Sequence, residues 1–472
     1  MNAEQKKRFR EVGKDAFIRE EMTRLGFWPP SPKVAMEMAE TESRLGPLYE
    51  EMAVVRTELD ALEKEIAATG NIPKLLEEVR RKRIERVRAE RARKKEEKAK
   101  TAAAKQEADR DWRRKTLPFL GRGVSAGLIY EGGEPEKVAS LGLPALAAAS
   151  DVAKAIGTDE KELAWLTYER IAANQDHYSR FAIPKKKGGV RVISSPKPRL
   201  RVAQTWLLKS VLEPLPVHDA AMAFRPGLSV KDNAERHAGR NVLVKVDLKD
   251  FFPSVGVARV KRLFQSFGYN EGVATILALI ATESPRVPVT LDGGARKWVA
   301  VGGRCLPQGA CTSPAITNLL CRRLDGRLAG AAESMGFNYT RYADDLIFSH
   351  EKADAPVGML LSLVRDIIGH ERFVVNDEKT SVLRPQHRQN VTGVVVNARD
   401  GETAAALPRV SRDDLRRFRA ILHQCDRDGF EKVTANLGRD AQSYARGYYS
   451  FVRMVSAEQA EKIAARHPWL TA

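Results

Sequence analysis

Two adjacent carboxylates set between apolar runs constrain this chain more than any other feature. Tyr342-Ala343-Asp344-Asp345 is preceded by Tyr339-Thr340-Arg341 and followed by Leu346-Ile347-Phe348. Side chains alternate faces along a strand, so neighbours point the same way only in a turn. The arrangement predicts a tight β-hairpin with the Asp pair at its tip. About a hundred residues earlier, Val242-Leu243-Val244-Lys245-Val246 reads as a buried strand closed by Asp247, with Asp250 one helical step later. Phe373-Val374-Val375 and Val394-Val395-Val396 read as further buried strands. Short strands alternating with helices from Tyr178 onward make this part of the chain α+β.

Asp247, Asp344 and Asp345 would repel one another if brought together, and each would raise its neighbours' pKa. Such a cluster makes chemical sense when Mg²⁺ supplies the compensating charge, because hard oxygen ligands suit that ion. Two ions ~4 Å apart activate an attacking hydroxyl and stabilise a leaving pyrophosphate. An Asp-Asp pair alone is more often a solvated turn. The flanking strands and the preceding Tyr-Ala favour the metal site here.

The 472 residues allow two or three domains. Lys and Arg outnumber Asp and Glu by 79 to 61, a net charge of +18 that favours a polyanionic partner. Four cysteines (Cys305, Cys311, Cys321, Cys425) fit neither a disulfide framework nor a paired zinc motif. No run approaches the ~18 apolar residues of a membrane span, and the polar start leads into no secretory h-region. A cytoplasmic chain with no membrane partner is expected.

The first 117 residues differ from the rest. Leu48, Met52, Val55, Leu59, Leu62 and Ile66 follow a heptad seam, which Gly70-Asn71-Ile72-Pro73 ends. From Glu77 to Lys115 a second helical run carries 17 basic against 9 acidic residues, a net of 17 − 9 = +8. A solvated helical hairpin and an RNA-binding or partner-docking arm are equally good readings. An Ala/Leu-rich helical segment is expected over roughly 136 to 175. The last ~65 residues are again helical and basic. There Arg412, Arg416 and Arg419 share one face, Leu415, Phe418 and Leu422 another, and Tyr444, Tyr448, Tyr449 and Phe451 follow.

Ile183-Pro184-Lys185-Lys186-Lys187-Gly188-Gly189-Val190-Arg191-Val192-Ile193 reads as a hairpin with a Gly-Gly turn and cationic flanks. It is suited to closing on a triphosphate, Arg191 offering a bidentate fork. Gln308 and Gly309 are expected in a turn where backbone can be approached closely. Asn233 and His237 are four residues apart and are expected on one helical face.

Three of these segments, in this order, resemble the signatures of reverse transcriptase palms: Val246-Asp247-Leu248-Lys249-Asp250-Phe251-Phe252-Pro253-Ser254, Leu306-Pro307-Gln308-Gly309-Ala310-Cys311-Thr312-Ser313-Pro314 and Tyr342-Ala343-Asp344-Asp345. Asn233-Ala234-Glu235-Arg236-His237 and Val391-Thr392-Gly393 resemble two signatures of the retron subclass. The resemblance covers roughly 118 to 472 and leaves the first 117 residues unassigned.

The resemblance implies a right-hand polymerase fold behind a helical, partly coiled-coil extension: 1–117 extension, 118–240 N-terminal helices and fingers, 241–399 palm with finger elements, 400–472 thumb. It implies catalysis and two-Mg²⁺ binding by Asp247, Asp344 and Asp345. Lys185, Lys187, Arg191, Phe252, Gln308 and Lys379 would meet the incoming deoxynucleotide, Phe252 excluding a ribose 2′-hydroxyl and Lys379 lying near the leaving phosphate. Asn233, His237, Val391, Thr392, Gly393, Arg412, Arg416 and Arg419 would serve a cognate non-coding RNA that is both template and primer. Priming from a guanosine 2′-hydroxyl would give branched RNA–DNA, and the subclass implies phage defence with a separate effector protein. A group II intron-like or diversity-generating enzyme would instead prime from a 3′-hydroxyl. A nucleoprotein scaffold or antitoxin would depend on binding more than catalysis.

Overall fold

The computed structural model describes residues 1–26, 32–68, 72–117, 119–121, 128–184, 188–292, 294–397 and 407–471, with backbone alone for 32–44, 68, 72 and 113–116. Two compact units result, Met1–Glu107 and Ala108–Ala472. No helix among the described residues is long and apolar enough to cross a membrane.

The first unit is helical. Helices α1 (Ala3–Val12) and α2 (Lys14–Arg24) meet through an edge-to-face contact of Phe9 with Phe17. Two long helices follow, α3 (Pro32–Ala68) and α4 (Ile72–Thr116). The heptad positions lie on α3 as expected, but Leu48, Met52, Val55, Leu59 and Leu62 are exposed and only Ile66 is buried. Five of the six seam positions are thus exposed on a helix that follows the expected period.

The second unit begins with three short helices, α5 (Pro135–Ser140), α6 (Ala149–Ile156) and α7 (Glu160–Thr167), in place of the expected single helical segment. Gly157, left-handed at φ 81°, ends α6. Strand β1 (Ala172–Ala173) precedes the hairpin of β2 (Tyr178–Pro184) and β3 (Val190–Pro196), which pairs Pro184 with Val190 and turns through Gly188 and Gly189, both at positive φ. Then come α8 (Pro198–Leu207), α9 (Val230–Glu235), β4 (Val242–Leu248), α10 (Val257–Ser266) and α11 (Glu271–Ala281). After Glu271 every residue of α11 is buried, which its all-round apolar sequence demands. Strands β5 (Arg286–Thr290) and β6 (Arg296–Ala300) join β1 in a small sheet of order β1-β6-β5.

Helices α12 (Thr312–Leu320) and α13 (Arg322–Ser334) lead into strands β7 (Asn338–Tyr342) and β8 (Asp345–His350), helix α14 (Val357–His370) and strand β9 (Val375–Leu383). Strands β10 (Asn390–Val391) and β11 (Val394–Val395) form a miniature hairpin. The chain closes with α15 (Arg412–Asp428), α16 (Phe430–Leu437), α17 (Ala441–Val455) and α18 (Ala457–Ala464).

The central sheet is antiparallel, in the order β7-β8-β4-β9. Val242, Val244, Val246 and Leu248 of β4 face the main core, while Leu243 and Ile347 face a second core formed with α15, α17 and α18. Covering on both faces explains why the strand up to Val246 is apolar apart from Lys245. Phe373 and Val374 lie outside β9, contrary to expectation: Phe373 is buried beside Phe251, but Val374 is exposed before pairing begins at Val375. The fold is an α+β arrangement preceded by a helical region.

Candidate active site

The expected hairpin forms with a two-residue turn. Tyr342 pairs with Asp345, leaving Ala343 and Asp344 at the tip; Asp345, expected there too, instead opens β8 and pairs with Asp247 at the end of β4. Paired residues project to the same face, so register alone brings Asp247 beside Asp345. Ala343 has φ 57°, an uncommon value for a residue with a Cβ. Two hydrogen bonds hold the tip: Leu248 N–H donates to the Asp344 carbonyl at 3.0 Å, and Arg341 Nη1 donates to the Ala343 carbonyl at 3.3 Å.

The local field is strongly negative. Burial, followed by the charges of Asp345 and Asp247, pushes the Asp344 carboxyl up to about 6. Burial also raises Asp345, with Lys245 opposing the rise. Lys379 Nζ lies 3.0 and 2.9 Å from the two Asp247 oxygens, and Asn376 Nδ2 donates to Asp247 Oδ1 at 2.9 Å.

Among the described residues, no three His, Cys, Asp or Glu side chains are grouped so as to hold a metal ion as they stand. The three carboxylates of the expected site thus do not form a closed cage by themselves. The donor set nevertheless fits a hard divalent cation. Its oxygens are carboxylates, its field raises the Asp344 pKa, and Asp247 already holds one cationic group.

A cavity of about 850 Å³ opens onto this site. It gathers Arg191 from β3, Phe252 from the turn after β4, Gln308 from the loop before α12, and Asn376 and Lys379 from β9 around Asp247 and Asp344; Asp345 is not among its lining residues. Lys185 and Lys187 lie outside the described residues. Phe252 is half-buried, its ring 5.4 Å from that of buried Phe251. Gly309 takes φ 118°, and a Cβ there would sit 2.9 Å from the Ser194 carbonyl oxygen. Its Cα side packs closely on β3, where Ser194 N–H donates to the Gln308 carbonyl at 2.7 Å, while Gln308 lines the cavity.

The proposed RNA contacts divide. Asn233 and His237 are fully buried, and His237 lies beyond the end of α9 rather than on its face. Thr340 Oγ1 donates to Asn233 Oδ1 and lies 2.7 Å from His237 Nε2, while Ser349 Oγ lies 2.7 Å from His237 Nδ1. A neutral imidazole protonated on Nε2 satisfies this set, and burial accordingly lowers the His237 pKa to about 3. His237 therefore ties β7 to β8 behind the Ala343-Asp344 tip, Asn233 joins it on Thr340 of β7, and both are enclosed rather than presented on a surface. Val391 is likewise core, whereas half-buried Thr392 and exposed Gly393, at φ 48° and 89°, form the end of the β10–β11 hairpin. Arg412, Arg416 and Arg419 are exposed along α15, opposite buried Leu415, Phe418 and Leu422. Tyr448 packs on Phe418 and Phe451, so much of that aromatic group is core.

Sequence reasoning missed Arg180, which lines the cavity and is ion-paired with Asp176 and Glu283. It also missed the fully buried pair of Arg341 and Asp325. The alternation of β2 marks Arg180, but a lone arginine next to the catalytic pair carries no comparable signal.

Comparison with known proteins agrees with this geometry. A family model described as reverse transcriptase (RNA-dependent DNA polymerase) matches residues 183–396. The chain is 42% identical over 369 residues to the retron Mx162 reverse transcriptase of Myxococcus xanthus, covering 75% of this chain and 74% of the relative. It is 42% identical over 330 residues to the retron Mx65 enzyme of the same organism, covering 70% and 73%. Against the retron Ec86 reverse transcriptase of Escherichia coli the identity is 29% over 331 residues, covering 69% and 90%. On the strength of these relatives, the chain belongs to the retron reverse transcriptases and is an RNA-directed DNA polymerase.

Proposed function

We propose that this enzyme binds a cognate structured non-coding RNA, primes from a guanosine 2′-hydroxyl within it and extends a DNA strand that stays branched to the RNA. The supporting observation is the single cavity in which Asp247, Asp344, Phe252, Arg191, Gln308 and Lys379, remote in sequence, face one space. Asp247, Asp344 and Asp345 would hold two Mg²⁺ ions, which when bound supply Lewis acidity and neutralise developing phosphate charge. Arg191 binds triphosphate oxygens, Phe252 presses on the sugar edge, and Lys379 exchanges its contact with Asp247 for the departing phosphate. Thr392 and Gly393 with the arginine face of α15 offer surface to the RNA. The enzyme acts in the cytoplasm, in phage defence alongside a separate effector protein.

The test is to purify the full chain, sequence its bound nucleic acid, and repeat with Asp344→Asn/Asp345→Asn. A homogeneous RNA joined to DNA through a 2′,5′ linkage, with the DNA lost in the variant, is expected. Random host RNA, or DNA begun from a 3′-hydroxyl, would overturn the priming assignment. Protection from phage that survives the loss of DNA synthesis would favour the scaffold reading.

A further inference from the structure

The charge of α4 is concentrated in one segment. Residues 80–95 contain ten basic side chains (Arg80, Arg81, Lys82, Arg83, Arg86, Arg88, Arg91, Arg93, Lys94, Lys95) and two acidic ones (Glu85, Glu90). The net is 10 − 2 = +8, so the rest of Glu77–Lys115 sums to zero. Sixteen helical residues span about 24 Å, or one net positive charge per ~3 Å of axis. A nucleic-acid duplex carries one negative charge per ~1.7 Å. Solvation alone would be served by balanced charge, as after residue 95, where Lys100 pairs with Glu96.

Every residue of the segment is exposed. Lys82 pairs with Glu78 and Lys94 with Glu90, but among the described residues no arginine between 80 and 93 takes part in a salt bridge. Seven guanidinium groups therefore present their forks outward, the geometry that binds phosphate bidentately.

Two features select the ligand class. An acidic protein partner would need an apolar, desolvated centre. The only large apolar residues in the segment are Ile84 and Val87, so no seam like that of α3 runs along it. Single-stranded nucleic acid is gripped mainly by stacking on aromatic rings, and residues 73–111 contain no Phe, Tyr, Trp or His. We infer that residues 80–95 of α4 form a docking surface for the phosphate backbone of a nucleic-acid duplex. This rests on the reading that the enzyme binds structured RNA. The duplex comes either from an RNA stem or from the RNA–DNA hybrid the enzyme makes.

The test uses full-length protein carrying Arg→Gln at positions 80, 81, 83, 86, 88, 91 and 93, and a second variant with Arg→Lys at the same positions. Affinity for a blunt RNA duplex, an RNA–DNA hybrid and an unstructured oligonucleotide is measured across a salt series, alongside extension of a pre-annealed primer. If about half of the cations reach phosphate, the Gln variant loses about three to five from the log–log salt slope and at least about tenfold in duplex affinity. It keeps primer extension at saturating substrate and near-normal binding of the unstructured strand, and the Lys variant recovers most of the slope. The duplex that shows the loss identifies the source. Unchanged duplex binding in the Gln variant overturns the inference while leaving the RNA-binding reading intact. Equal loss for unstructured and duplex probes overturns the duplex assignment, and selective loss of an acidic polypeptide such as polyglutamate would replace it with a protein partner. Wild-type protein that binds none of the nucleic acids would sink the underlying reading.

Discussion

Arg341 and Asp325 form a fully buried ion pair, Nη2 to Oδ2 at 2.7 Å, directly behind the catalytic turn. Arg341 Nε also donates to Asp325 Oδ1 at 2.8 Å, Nη1 donates to Asn318 Oδ1 at 3.0 Å, and Tyr339 OH donates to Asp325 Oδ1 at 2.9 Å. A buried charge left alone costs about 3–5 kcal/mol, whereas replacing both members by apolar groups is often neutral. Asp325→Asn should therefore destabilise the protein by that order in denaturant melts. The double variant Arg341→Met/Asp325→Leu should regain most of the stability. It should still lose turnover, because the Ala343 carbonyl at the tip has lost its donor. Full activity in the double variant would show that Arg341 supports only the fold.

The buried His237 sets a pH dependence. Its native pKa lies at about 3, against an ordinary value near 6.5, because burial disfavours the imidazolium. The unfolded chain then binds a proton that the native chain refuses. Its contribution is complete above the unfolded value and is lost as pH falls from about 6.5 toward 3, at up to ~1.4 kcal/mol per pH unit. His237→Gln should flatten this part of a stability–pH curve while lowering the plateau. An unchanged slope would mean that other groups dominate acid unfolding.

Phe252 lines the cavity five residues after Asp247. Replacing it with Val should open room for a ribose 2′-hydroxyl and raise ribonucleotide incorporation relative to deoxynucleotide by roughly tenfold or more, the scale of steric discrimination in a pocket. Competing single-nucleotide extension assays measure this ratio directly. No change would assign Phe252 to packing on Phe251.

Gly309 joins the loop before α12 to the β2–β3 hairpin. In Gly309→Ala the new methyl meets the Ser194 carbonyl oxygen at 2.9 Å and the backbone must hold φ 118°. A cost of about 1–3 kcal/mol is expected from that strain. The 2.7 Å Ser194–Gln308 hydrogen bond should weaken with it. Because Arg191 sits on the same strand as Ser194, the KM for deoxynucleotide should rise more than kcat falls.

Local chemistry was legible in the sequence. The Asp247 strand end, a tight hairpin at Asp344 and the Gly188-Gly189 hairpin each follow from a few adjacent residues, although Asp345 stands on β8 and not in the turn as expected. What depends on tertiary covering was not legible. Asn233 and His237 are polar and four residues apart, which reads as a surface face, yet the central sheet encloses them. Charged residues are rarely fully buried, so nothing in Arg341 announces its place in the core. The α3 heptads report helical period but not whether anything covers the seam.

The two-residue catalytic turn also bears on how this enzyme tolerates length change. Asp247 faces Asp345 only while β8 keeps its register with β4. One residue added at the tip or within β8 would set Leu346 or Asp344 in that place and send apolar side chains to the wrong face. The β5–β6 connection, by contrast, ends at exposed Leu291 and carries no residue of the site. Insertional libraries should therefore recover active enzymes with extra residues near 292–295 and none with extra residues between 339 and 349. The polymerase centre is in this sense a fixed length of chain as much as a set of aspartates.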